Sequence, residues 1–133
     1  MTRTARCECG QLSITVEGEP RGVGFCHCLA CQRRTGSVFA ALAAFDPPWR
    51  ATGRATRHER VGDREGSRFT FHFCPVCGTT VFHTEDGCDG VSVAVGAFAD
   101  PDFPAPEVSI YDARRHGWVR LPKGVSAYPY DPE

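Results

Sequence analysis

The sequence predicts an all-β fold with at most one or two short helical turns. Three observations carry that expectation. Fourteen glycines and ten prolines are spread through the 133 residues and cut the chain into short segments, which suits strands and turns better than long helices. Several of those segments alternate apolar and polar side chains with a period of two. Seven of the eight cysteines fall into short metal-ligand spacings, so distant segments can share a common ion.

Taken in order, the elements read as follows. Cys7-Glu-Cys9-Gly10 places two thiols on one face of an extended segment. Leu12–Val16 alternates and is β-branched, and reads as a strand. In Cys26-His27-Cys28-Leu29-Ala30-Cys31, Cys26 and Cys28 share a face of an extended segment, Cys31 returns by a turn and His27 points the opposite way. Ser37–Phe45 is apolar and Ala-rich, and fits strand or helix. Residues 54–68 are polar and read as hairpin or loop. Arg68–Phe73 is a strand with Phe69, Phe71 and Phe73 on one face and Arg68, Thr70 and His72 on the other. Cys74-Pro-Val-Cys77-Gly78 is a knuckle. Thr79–His83 and Val91–Val95 are further strands, joined by a turn over Glu85–Gly90. Residues 101–106 hold three prolines and cannot form a central strand. No internal repeat or boundary breaks the chain, so residues 1–133 are expected to form one domain.

Composition narrows the function. Fifteen basic and sixteen acidic residues leave a formal charge of −1. Nucleic-acid and anionic-membrane binders carry a clustered basic excess, which is missing here. No apolar run spans a bilayer and the N-terminal residues are polar. The expected setting is cytoplasmic, where thiols stay reduced and such spacings mean metal or catalysis rather than disulfides.

The seven cysteines divide unevenly. Cys7, Cys9, Cys74 and Cys77 supply four thiolates, a closed tetrahedral set for a structural zinc. Binding of that kind contributes about 10–16 kcal/mol and is coupled to folding. Cys26, Cys28 and Cys31 supply only three. A zinc there needs water, a side chain or a substrate as its last ligand, and a substrate thiol is chemically apt because zinc deprotonates it. Arg33 and Arg34 follow directly and could offset the anionic cluster or hold substrate carboxylates. Other outcomes stay open at this point: Cys88 or a histidine closes the set, the three thiols cycle through a disulfide, or metal binds there only weakly.

These motifs resemble a known family. Cys7-x-Cys9-Gly10, Cys26-His-Cys-x-x-Cys31-Gln-Arg-Arg-Thr-Gly-Ser37, Arg68, Phe73-Cys-Pro-Val-Cys-Gly78, Gly96, Asp100-Pro101, Pro106 and Trp118 follow the order seen in the glutathione-dependent formaldehyde-activating enzymes. That family also includes centromere protein V. The match runs over about residues 5–118. The resemblance implies a zinc-stapled β-tent of antiparallel sheets. It implies S-(hydroxymethyl)glutathione synthase chemistry, a carbon–sulfur lyase in reverse, with glutathione and formaldehyde as partners. It gives Cys7, Cys9, Cys74 and Cys77 to a structural zinc, and Cys26, Cys28 and Cys31 to a catalytic zinc that receives the glutathione sulfur. A non-catalytic zinc-stabilised binding module of the same fold is the alternative. The chain departs from the pattern at Ala5, at Phe98-Ala-Asp-Pro101 and at Ser109, none of which removes a metal ligand.

The remaining candidates read as ordinary. His72 and His83 are expected on exposed strand faces, and His58 and His116 in solvated stretches. Cys88 reads as a partly exposed free thiol. Trp49 and Trp118 are expected in the core or a cleft wall, and Phe39, Phe45 and Phe98 in the core.

Overall fold

The computed structural model describes residues 1–132. Eleven strands and one short helix follow in chain order: β1 (Thr2–Arg6), β2 (Ser13–Glu17), β3 (Gly22–Cys26), α1 (Leu29–Thr35), β4 (Ala40–Phe45), β5 (Trp49–Thr52), β6 (Thr56–Val61), β7 (Arg68–Phe73), β8 (Thr80–Glu85), β9 (Val91–Ala94), β10 (Val108–Ile110) and β11 (Ser126–Ala127). Short 3-10 turns cover Val95–Phe98 and Asp112–Arg114. The fold is mainly β, as the composition and alternation predict.

Two sheets divide the strands. One has three strands in the order β1-β2-β5. The other has eight, in the order β11-β10-β3-β4-β9-β8-β7-β6. Pairing is antiparallel except at β10, which runs parallel to both β3 and β11. The expected purely antiparallel sheets are therefore mixed at one end. Physically, β10 returns from a long excursion instead of a hairpin, so nothing constrains it to reverse direction.

The ambiguous segments resolve by position. Ala40–Phe45 lies between β3 and β9, where pairing on both edges overrides the weak strand preference of alanine. Residues 54–68 form the β6–β7 hairpin, paired from Thr56↔Phe73 to Val61↔Arg68. The strand expected at Val91–Val95 ends one residue early, where Val95 opens a 3-10 turn.

The core lies between the two sheets. Ala5, Leu12, Ile14 and Val16 from the three-stranded side pack with Val23, Ala43, Phe45, Val81, Phe82, Val91 and Val93 from the larger sheet. Each fully buried large apolar side chain there contributes about 1.5–3 kcal/mol. Alternation then defines the second face of the larger sheet. Ala43 and Phe45 of β4 and Val91 and Val93 of β9 turn into the core. Their neighbours Leu42, Ala44 and Ser92 turn the other way and line a cavity.

Candidate functional site

Two knuckles build the first cysteine cluster. In one, the Cys7 N–H donates to the Leu12 carbonyl at 2.9 Å and the Gly10 N–H to the Cys7 carbonyl at 3.0 Å. In the other, the Cys74 N–H donates to Thr79 and the Gly78 N–H to Cys74, both at 2.9 Å. Each turn requires a left-handed residue after its second cysteine, and Gly10 and Gly78 supply it with φ of 87° and 83°. One knuckle follows β1 and the other follows β7, so the cluster joins the two sheets.

The four sulfurs lie within 4.8 Å of one another. Cys7 and Cys9 are 3.6 Å apart, and Cys9 and Cys74 are 3.7 Å apart. Thiolates about 2.3 Å from a tetrahedral zinc sit about 3.8 Å apart, so the donor set fits that ion. N–H donors are already aimed at the sulfurs. Leu12 donates to Cys7 Sγ at 3.3 Å, Val76 to Cys74 Sγ at 3.3 Å, and the Gln11 side-chain amide to Cys74 Sγ at 2.9 Å. The hydroxyl and N–H of Thr79 favour the Cys77 thiolate and bring its pKa down to about 5. Such donors stabilise anionic sulfur, the form that binds metal.

The second cluster sits where β3 runs into α1. Cys26 ends the strand and is buried, and Cys31 is buried in the first turn of the helix. Cys28 is the N-cap, and its sulfur accepts the Cys31 N–H at 3.3 Å. The expected return of Cys31 by a turn is thus a helix start. The three sulfurs lie within 4.8 Å of one another, and no fourth Cys, His, Asp or Glu joins them among the described residues. Hydrogen bonds from the Cys26 and Cys28 thiols, and then the Arg34 guanidinium, hold the Cys31 pKa far below the ordinary thiol range. The same sharing pushes Cys26 up. His27 is buried and packs against the rings of Phe25 and Phe39.

The two arginines separate. Arg34 Nη2 lies 3.6 Å from Cys31 Sγ, and its guanidinium stacks over Phe71 at 4.5 Å. Arg33 is exposed. Neither lines the cavity beside the cluster. The arginines that do are Arg21, Arg60, Arg64 and Arg114. Arg21 already holds Asp46 at 2.8 Å, and Arg64 holds Asp131 at 2.9 Å. Arg60 and Arg114 have no carboxylate partner among the described residues, and Arg60 stacks over Phe71 at 4.8 Å. Of the expected Arg33 and Arg34, the second reaches the cluster, and the arginines lining the cavity are ones that sequence spacing did not single out.

The cavity measures about 710 Å³, within the range of small-molecule sites. Cys26, Cys28 and Cys31 form one wall; Phe69, Phe71, His83 and Glu85 form another. Two contacts among its lining residues tie the β6–β7 loop to later segments: the Tyr111 hydroxyl donates to Asp63 at 2.5 Å, and Arg64 pairs with Asp131. Gln32 anchors α1 beside it. Its amide donates to the His27 carbonyl at 2.8 Å and its oxygen meets His116 Nε2 at 2.9 Å.

Other single residues fall in varied places. His83, expected on an exposed face, is half-buried in the cavity wall. His72 is half-buried and stacks on Phe82 at 4.4 Å. Trp49 packs on the core, whereas Trp118 is 69% exposed and walls nothing. Cys88 is exposed and joins neither cluster.

Comparison with known proteins adds three findings. A family profile described as glutathione-dependent formaldehyde-activating enzyme matches residues 2–114. No curated protein matches the chain. Among solved structures, the chain is similar to a crystal structure of a Rhodobacter sphaeroides protein, with 25% identity, a TM-score of 0.55, and coverage of 71% of this chain and 85% of that one.

Proposed function

The chain belongs to the glutathione-dependent formaldehyde-activating enzyme family, and from that premise we propose that it is a zinc-dependent carbon–sulfur lyase/synthase. It joins a small aldehyde to a thiol and separates the adduct, with formaldehyde and glutathione as the expected pair. One observation carries the reading: the four-cysteine cluster is complete, while the three-cysteine cluster is incomplete and opens on a cavity of about 710 Å³. A complete set suits a structural ion, and an incomplete one leaves a position for substrate.

The residues divide the work. Cys7, Cys9, Cys74 and Cys77 would hold the structural zinc. Cys26, Cys28 and Cys31 would hold the catalytic zinc, which when bound lowers the pKa of a substrate thiol and fixes its sulfur. Arg34, in contact with Cys31 Sγ, offsets the charge of three thiolates. Arg60 and Arg114, which line the cavity without carboxylate partners among the described residues, would receive the two carboxylates of glutathione as charge-assisted pairs. Phe69 and Phe71 give the cavity an apolar side.

The test is twofold. Metal analysis of purified protein should give two zinc ions per chain. Exchange NMR of glutathione with ¹³C-formaldehyde should show interconversion of free aldehyde and S-(hydroxymethyl) adduct faster than without protein. One zinc and no acceleration would instead support a non-catalytic module and sink this reading.

A further inference from the structure

His83 stands apart from the other histidines. It stands on β8 and lines the same cavity as the three-cysteine cluster. Its ring packs edge-on to Phe69 at 5.7 Å and against Phe71 at 4.7 Å. Phe71 carries the Arg34 guanidinium at 4.5 Å, and Arg34 reaches Cys31 Sγ. The imidazole is thus one ring and one guanidinium from the cysteines. Its nitrogens have no hydrogen-bond partner among the described residues, yet they are not sealed off as the buried nitrogens of His27 are. Two aromatic rings pack against the imidazole, and the residue lines the cavity.

Resting on the thiol–aldehyde reading above, we propose that His83 is the catalytic residue that exchanges the proton on the adduct oxygen. In the cleavage direction, the hydroxyl proton of the S-hydroxymethyl group passes to the unprotonated ring nitrogen of His83. The O–H electron pair becomes the second C–O bond. The C–S bond breaks and its electron pair leaves on sulfur. In synthesis the sulfur attacks the carbonyl carbon, and the oxygen takes the proton back from the imidazolium. No oxidant or reductant is required.

The surroundings keep the ring unprotonated and free to accept a proton. Burial, then the Arg34 charge, lowers the His83 pKa to about 4; Cys31 opposes the shift, and Arg60 and His72 add to it. The ring is neutral at neutral pH. From β9 its cross-strand partner is the uncharged Ser92, and along β8 Glu85 also lines the cavity. β7 brings the neutral rings of Phe69 and Phe71 and the titratable His72, β6 brings Arg60, and α1 brings Arg34. General acid–base groups typically contribute about 10²–10⁴-fold.

The test uses the full chain with its metal. His83→Gln and His83→Ala should lower kcat for adduct exchange at least about tenfold, with KM for glutathione and zinc content near wild type. Imidazole added to His83→Ala should restore part of the rate, which a purely structural role would not permit. An independent arm reads the wild-type protein by ¹⁵N NMR. The His83 ring signals should move on adding S-(2-hydroxyethyl)glutathione and not on adding S-ethylglutathione. If wild type accelerates exchange but both variants keep its kcat, or if the ring signals respond equally to both thioethers, the His83 assignment fails alone. Wild type without acceleration overturns the underlying reading and this inference with it. Should the variants fail to fold, the NMR arm decides.

Discussion

His83 also bears on stability at the scale of a single residue. Its pKa falls from about 6.5 to about 4 on folding. Between those values the unfolded chain binds a proton that the folded chain refuses, so stability falls as pH drops through that window. The expected outcome is that His83→Gln loses less stability than wild type between pH 7 and pH 5. Urea midpoints of both proteins across that range measure it, and parallel pH dependences would contradict it. The cysteine ligands were legible in the sequence because Cys-x-Cys and Cys-x-x-Cys spacings are local geometry. The placement of His83 was not, because it depends on which face of β8 turns toward the cavity. Arg60 was hidden for the same reason, and of the adjacent Arg33 and Arg34 spacing alone does not say which faces the cluster, because adjacency in sequence is not a shared face on a helix. Arg34, one residue on, does face Cys31.

Among the elements, α1 and the two knuckles respond oppositely to loss of a thiol. Cys28 caps α1 through its sulfur, and serine is itself a strong N-cap. Cys28→Ser should therefore keep the helix and the fold while lowering zinc content and abolishing adduct exchange. Cys77→Ser opens the complete cluster and removes the tie between the sheets, so it should give metal-poor protein with a melting temperature lower by 10 °C or more. Metal analysis and calorimetry on both variants check the contrast, and equal destabilisation would remove the distinction between structural and catalytic clusters. Strands with clean alternation, such as Arg68–Phe73, were readable at their observed bounds. β1 and β3 were not. β1 is largely polar and β3 carries glycine at positions 22 and 24, so neither displays a two-residue period; they are strands because their partners impose it.

At the scale of the whole molecule, the cavity draws its walls from residues as far apart as Arg21 and Asp131. No sequence window contains it, which is why the metal ligands were legible and the substrate walls were not. The strand order adds a temporal consequence. All four ligands of the sheet-joining cluster are present once Cys77 has been made, but β3 gains its parallel neighbour only when Val108–Ile110 arrives. Gly24 and Val108 lie 84 positions apart and Cys7 and Cys77 lie 70 apart, and contacts of longer separation form more slowly. In pulse-labelled hydrogen exchange during refolding, amides of the two knuckles and of the β1–β2 pair should gain protection ahead of those in β3 and β10; simultaneous protection would count against this order. A nascent chain would thus reach a stage at which its staple is set and its reactive cysteines still lack a roof. During that interval Cys26, Cys28 and Cys31 are open to oxidants and to stray metals. The late closure of one parallel strand pair makes this protein's synthesis, more than its finished state, the moment at which redox stress can spoil it.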